Sequence, residues 1–170
     1  MLLAVLAVLA LTAASAFADW QWWIIERKIR ADFPRVHPIS TSDLATWLAD
    51  PRRARPLLLD VRSASEFSVS HIEGAQRVEP GSAVTNAKLP EVGKSTPIVT
   101  YCSVGYRSSA FAEKLRAAGF TKVQNLDGSL FRWANENRPL VNARGELTDK
   151  AHPYNSFWGR LLHSEHRAKL

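Results

Sequence analysis

The chain holds a single cysteine, Cys102, so no internal disulfide can form and no cysteine-rich zinc site can be built. Its five histidines, His37, His71, His152, His163 and His166, are scattered. His163 and His166 lie three apart, but no third ligand is evident beside them, so no metal site and no cofactor are expected. No Lys or Arg precedes the apolar run that begins the chain, which departs from an ordinary secretion signal. There is no nucleic-acid-binding motif and no stripe of interleaved basic and aromatic residues, so nucleic acid is not expected as a partner. Internal repeats and low-complexity linkers are missing too.

What is present describes a globular domain. The 170 residues are 46% hydrophobic and 22% charged, enough for one domain with a real core. The net charge of +6 suits a small anionic substrate or an anionic surface.

Leu2 to Ala18 is uncharged and rich in Leu, Ala and Val, and Ala16-Phe17-Ala18 fits the small-x-small pattern of signal cleavage. Apolar character nearly continues through Trp20, Trp22, Trp23, Ile24 and Ile25, and the basic cluster Arg27, Lys28, Arg30 follows. Two readings stand. Cleavage places the protein in the periplasm or outside the cell. An uncleaved anchor, with its basic flank on the C-terminal side, associates the chain with the membrane and leaves the domain in the cytoplasm. The chain thus divides into residues 1–18 as signal peptide or membrane anchor, 19–35 as a basic and aromatic linker, 36–140 as the domain, and 141–170 as a C-terminal extension.

From residue 36 onward, strand and helix signals alternate. Val36 to Ile39 reads as a short strand; Ser40 then caps a helix, with Asp43 at N3 and Ile39 and Leu44 at the hydrophobic-staple positions. Leu57 to Val61 is a continuous apolar strand of the kind buried on both faces. Ser63 and Glu66 form a capping box, and Gln76 to Val78 is a further short strand. Residues 79–94, with Pro80, Gly81, Pro90 and Gly93, read as loop. Ile98 to Tyr101 is a strand, Ser108 to Ala118 a helix with Gly119 at C′, and Val123 to Leu126 the last clear strand before a helix from Gly128. This alternation predicts an α/β fold with a mostly parallel sheet. Tyr154, Phe157, Trp158, Leu161 and Leu162 give an amphipathic C-terminal piece, read as a helix that docks on the domain.

The run Ile98-Val99-Thr100-Tyr101-Cys102-Ser103-Val104-Gly105-Tyr106-Arg107-Ser108 carries the chemistry. A strand ends at a thiol, a short loop follows, and a helix begins. That order sets the sulfur at the C-terminal edge of a parallel sheet, where ligand sites collect. Backbone N–H groups, a helix N-terminus and Arg107 there favour a thiolate or a bound anion. Gly105 lets the backbone fold around the anion.

Asp60-Val61-Arg62, Glu66-Phe67 and His71-Ile72-Glu73-Gly74-Ala75 together resemble the N-terminal signature of the rhodanese family. Cys102 through Ser108 resembles the active-site loop of its single-domain members, and Asp127-Gly128 through Arg132-Trp133 is similar to its C-terminal signature. The resemblance implies a five-stranded, mostly parallel sheet flanked by helices. It also implies sulfurtransferase activity, in which Cys102 takes a sulfur from a small anionic donor such as thiosulfate and passes the persulfide sulfur to a thiol, a protein thiol or cyanide. Ser103, Val104, Gly105, Tyr106, Arg107 and Ser108 would bind the substrate, chiefly through loop amides. Asp60 and Arg62 support the strand end, His71 is a scaffold residue, and Trp133 packs in the core. Val104 and Tyr106 are expected to project from the rim of the loop. Cys102 through Arg107 makes a six-residue loop. Related phosphate-ester hydrolases and arsenate reductases carry a longer one, which disfavours those chemistries. A non-catalytic sulfur carrier or binding module is the remaining alternative.

Overall fold

In the computed structural model, which describes residues 20–87, 89 and 91–169, five strands form one all-parallel sheet. The strands are β1 (His37–Ile39), β2 (Leu57–Asp60), β3 (Gln76–Arg77), β4 (Ile98–Tyr101) and β5 (Val123–Leu126), in the order β1-β5-β4-β2-β3. Residues 20–32 are helical and are named α1. Parallel neighbours need crossovers, and helices α2 (Thr41–Ala49), α3 (Ala64–Val69), α4 (Tyr106–Ala117) and α5 (Ser129–Asn135) alternate with the strands.

Burial explains the strand order. β4 is buried along its whole length and sits mid-sheet, between β2 and β5. In register, Leu57 pairs with Ile98 and Leu58 with Val99, and the pleat sends alternate residues to opposite faces. Leu58, Val99, Tyr101 and Leu126 thus join Leu44, Trp47, Leu130 and Trp133 in one core cluster. Leu59, Ile98 and Val123 join Phe111, Leu115 and Phe120 in the other.

Local capping fixes the helix ends. The Ser40 hydroxyl accepts from the Asp43 N–H at 3.0 Å to open α2, and the Ser63–Glu66 capping box opens α3. α4 closes on Gly119, at φ +93°, with Gly119 N–H bonded to Arg116 C=O and Phe120 N–H to Leu115 C=O. That pair of bonds is the Schellman arrangement. α4 starts at Tyr106, two residues before the expected Ser108, because the left-handed Gly105 serves as its N-cap.

Two expectations are corrected. The stretch read as a linker contains α1, which docks on the domain. Its Trp22 and Ile25 pack against the first core cluster, Glu26 pairs with Arg132, and Asp32 accepts from the Tyr106 hydroxyl at 2.7 Å. The C-terminal extension docks as expected but contains no α-helix among its described residues. It completes an antiparallel hairpin that starts at the domain's last residue, β6 (Leu140–Val141) with β7 (Leu147–Thr148), and adds 3₁₀ turns at Trp158–Leu161 and Ser164–His166. Ala151, Leu161 and Leu162 still reach the core. Residues 1–18, read from the sequence as a signal or an anchor, lie outside the described residues. Among those described, no helix is long and apolar enough to cross a membrane.

Candidate active site

Cys102 follows β4 directly and is almost wholly buried. The first turn of α5 grips its backbone. The Cys102 N–H donates to Ser129 Oγ at 3.3 Å, Leu130 N–H donates to the Cys102 carbonyl at 3.1 Å, and Phe131 N–H donates to the Ser103 carbonyl at 3.0 Å. Ser129 holds φ at +50° to make this contact and donates its hydroxyl to Leu126 C=O.

The loop then folds back over the sulfur. Gly105 N–H points at Cys102 Sγ at 3.2 Å. Gly105 sits at φ +107°, and a Cβ there would lie 3.2 Å from Ile29 Cδ1 and 3.3 Å from Asn125 Nδ2. The conformation therefore favours glycine, and an added Cβ would also crowd Ile29 and Asn125. No side chain caps the start of α4, which leaves its first-turn amides open to an anion beside the sulfur. Beneath the loop, Asn125 Nδ2 donates to Gly105 C=O at 3.3 Å, and Thr100 Oγ1 bonds Asn125 Oδ1 and Ser108 C=O.

Arg107 faces Cys102 and is also paired with a carboxylate. Its Nη1 and Nη2 donate to the two Glu66 carboxylate oxygens at 3.0 and 2.7 Å, and Nη2 also reaches Ser103 Oγ at 2.9 Å. Ser103 Oγ donates to Glu66 at 2.9 Å, and Ser63 N–H donates to it at 3.0 Å. Burial by itself would raise the Glu66 carboxyl, but the hydrogen bonds from Arg107 and Ser63 outweigh it and hold the pKa at about 2. The pair is a bidentate, half-sheltered ion pair, so Glu66 neutralises the charge that Arg107 brings near the sulfur.

The other predicted loop residues separate into amide and side-chain roles. Ser108 is buried and donates its hydroxyl back to Gly105 C=O at 3.2 Å. Val104 does not project from a rim: it is buried in the first core cluster, against which α1 packs. Tyr106 is exposed, yet tethered to Asp32 and edge-on to Phe33 at 5.1 Å. The loop backbone and the Cys102 sulfur share their open space with the partly exposed Arg107 and Tyr106 side chains.

Asp60 and Arg62 form a fully buried ion pair below the strand ends, with Arg62 Nε 2.8 Å and Nη2 2.6 Å from the carboxylate. Arg62 Nη2 also bonds Ser70 C=O at 2.6 Å. Burial, with the Asp60 charge beside it, pushes the Tyr101 phenol up, and its neutral oxygen accepts from Ile72 N–H at 3.1 Å. His71 stacks on Phe67 at 3.8 Å and bonds Phe67 C=O through Nδ1. Trp133 is buried and donates to Pro139 C=O.

A cavity of about 400 Å³ opens on Cys102. Ile24, Ile25 and Lys28 of α1 line it, as do Tyr154 and Trp158 of the extension. The Arg107 guanidinium lies 4.9 Å from the centre of the Tyr154 ring. Sequence reasoning missed these walls, along with Asn125 and Ser129. Asn125 carried a faint signal, a buried amide in an otherwise strand-like Val-Gln-Asn-Leu run. Tyr154 carried none. Glu165, which stands between His163 and His166 in the sequence and was overlooked there as a third group, has its carboxylate beside them, with the ligand atoms of the three within 4.8 Å of one another.

A thiol in a strand-to-helix loop at the C-terminal edge of an all-parallel sheet defines an α/β domain with a buried cysteine beneath a folded-back loop. The chain belongs to the rhodanese-like family, whose domain matches residues 41–136. A probable adenylyltransferase/sulfurtransferase, MoeZ of Mycobacterium tuberculosis, is 30% identical over 101 residues. That match covers 59% of this chain but only 25% of the relative, so the chain spans about a quarter of MoeZ. A sulfurtransferase of Allochromatium vinosum is 29% identical over 110 residues, covering 65% of this chain and 99% of the relative. The crystal structure of a thiosulfate sulfurtransferase from Pseudomonas aeruginosa superposes with a TM-score of 0.59 at 19% identity, over 78% of this chain and 24% of the other, a likeness of fold.

Proposed function

We propose that this protein is a sulfurtransferase in which Cys102 carries the transferred sulfur as a persulfide. The observation that carries the reading is the Gly105 N–H aimed at Cys102 Sγ from 3.2 Å, beside an uncapped helix N-terminus. The sulfurtransferase names of two relatives add support. With thiosulfate as donor, the Cys102 thiolate attacks the outer sulfur. A new S–S bond forms, the old one breaks, and sulfite leaves with its electron pair. The negative charge then sits on the outer sulfur of the persulfide, where the loop amides stabilise it as they would an oxyanion. An acceptor thiolate or cyanide next attacks that sulfur, and the Cys102 thiolate is released. There is no net change of redox state in the protein.

Intact-mass spectrometry after incubation with thiosulfate tests the reading. The wild type should gain the mass of one sulfur atom and lose it on cyanide treatment, while Cys102→Ser should gain nothing and release no thiocyanate. A sulfur adduct on Cys102→Ser, or full thiosulfate:cyanide turnover by it, overturns the reading. A persulfide that forms yet discharges to no acceptor identifies a carrier module instead.

A further inference from the structure

Half of the residues lining the Cys102 cavity come from outside the family-matched residues 41–136: Ile24, Ile25 and Lys28 precede that span, and Tyr154 and Trp158 follow it. They change what the site can hold. Two cations border the cavity, and both are already paired. Arg107 is clamped by Glu66, and Lys28 Nζ lies 2.7 Å from Asp32, which also accepts from Tyr106. The polar end of the site, the loop amides beside Cys102 with the partly exposed Arg107 and Lys28, suits the charged donor, while Ile24, Ile25, Tyr154 and Trp158 offer aliphatic and aromatic carbon that a small anion leaves uncovered. The volume, about 400 Å³, lies in the range of pockets that enclose whole organic ligands.

We infer that the cavity binds an organic thiol with an apolar body as the sulfur acceptor, its carbon skeleton held between Ile24 and Ile25 of α1 and Tyr154 and Trp158 of the extension. This rests on the sulfur-transfer reading above and adds the acceptor's chemical class. The acceptor thiolate attacks the outer sulfur of the Cys102 persulfide. Its sulfur forms the new S–S bond, the bond to Cys102 Sγ breaks, and the electron pair stays on Sγ. The products are an organic persulfide and the free Cys102 thiolate, with charge and atoms conserved. The neutral Arg107–Glu66 pair suits this step, because the leaving thiolate is met by loop amides and the incoming body by apolar walls.

The test is single-turnover discharge of full-length protein already loaded with persulfide, followed by intact mass. Two alkyl thiols of similar reactivity serve as probes, 2-mercaptoethanol and 2-phenylethanethiol. The phenyl compound should discharge the persulfide at least about tenfold faster, as removal of a phenyl group from water predicts. Ile24→Ser and Tyr154→Ser alter side chains that are 40% and 45% exposed, so the fold should tolerate both. In each variant the ratio of the two rates should fall toward unity. Equal rates for the two thiols in the wild type overturn this inference alone. A preference that persists unchanged in both variants also overturns it, since the walls would then not cause it. Failure of Cys102 to load at all overturns the sulfur-transfer reading, and the acceptor assignment with it.

Discussion

Glu66 accepts hydrogen bonds from Arg107, Ser103 and Ser63 while only 2% of its surface is exposed. Its carboxyl is held at about 2 against an ordinary 4.5. The folded pKa lies below the unfolded one, so the stabilisation is complete above pH 4.5 and is lost as pH falls through about 2. That difference between folded and unfolded chain corresponds to roughly 3 kcal/mol. Urea unfolding of the wild type should weaken through that window, and Glu66→Gln should remove this part of the pH dependence. Arg107→Ala strands the buried carboxylate and should cost about 3–5 kcal/mol at neutral pH. Adding Glu66→Gln to Arg107→Ala should restore part of that loss, because no buried charge is then left unpaired. A double-mutant cycle by chemical denaturation measures this coupling, and additive losses would show that the pair does not act as a unit.

Helix α4 carries a left-handed glycine at each end, and the two separate catalysis from stability. Gly119 has φ +93°, and a Cβ added there would meet nothing nearer than Lys94 Cδ at 4.0 Å. Gly119→Ala should therefore cost about 1–2 kcal/mol from backbone strain and leave sulfur transfer unchanged. Gly105 carries the same strain, and its added methyl would also press on Ile29 and Asn125. Gly105→Ala should thus move the N–H that faces Cys102 Sγ and sharply reduce sulfur transfer, beyond any loss of thermal stability. Thermal melts run beside turnover assays separate the two effects, and equal activity losses in both variants would argue against a role for the loop amides.

At the scale of the whole molecule, the C-terminal extension belongs to the core. Ala151, Leu161 and Leu162 are buried in the first cluster, and Asn135 Nδ2 donates to Leu161 C=O at 2.8 Å. Asn135 Oδ1 in turn accepts from His163 N–H at 2.9 Å. Two buried leucines and these bonds predict that a chain ending at Thr148 loses about 3–6 kcal/mol. Circular dichroism melts of the truncated protein check this. A melting temperature unchanged from that of the full chain would show that the extension contributes nothing to the core.

The amino-acid sequence alone determined the strands Leu57–Asp60, Ile98–Tyr101 and Val123–Leu126, the caps at Ser40 and Ser63, the Gly119 stop and the cysteine loop. Each rests on residues within a turn or a strand of one another, where backbone sterics and local hydrogen bonds decide the outcome. Only the tertiary structure decided that Arg107 clamps Glu66, 41 residues away, instead of standing free for an anion. It also placed Val104 in the core, turned the linker into a docked helix, and brought Ile24 and Tyr154 to one cavity. The reason is physical: the parallel sheet order β1-β5-β4-β2-β3 sets which distant segments share the edge beside Cys102, and nothing local in Tyr154 or Ile24 encodes that neighbour.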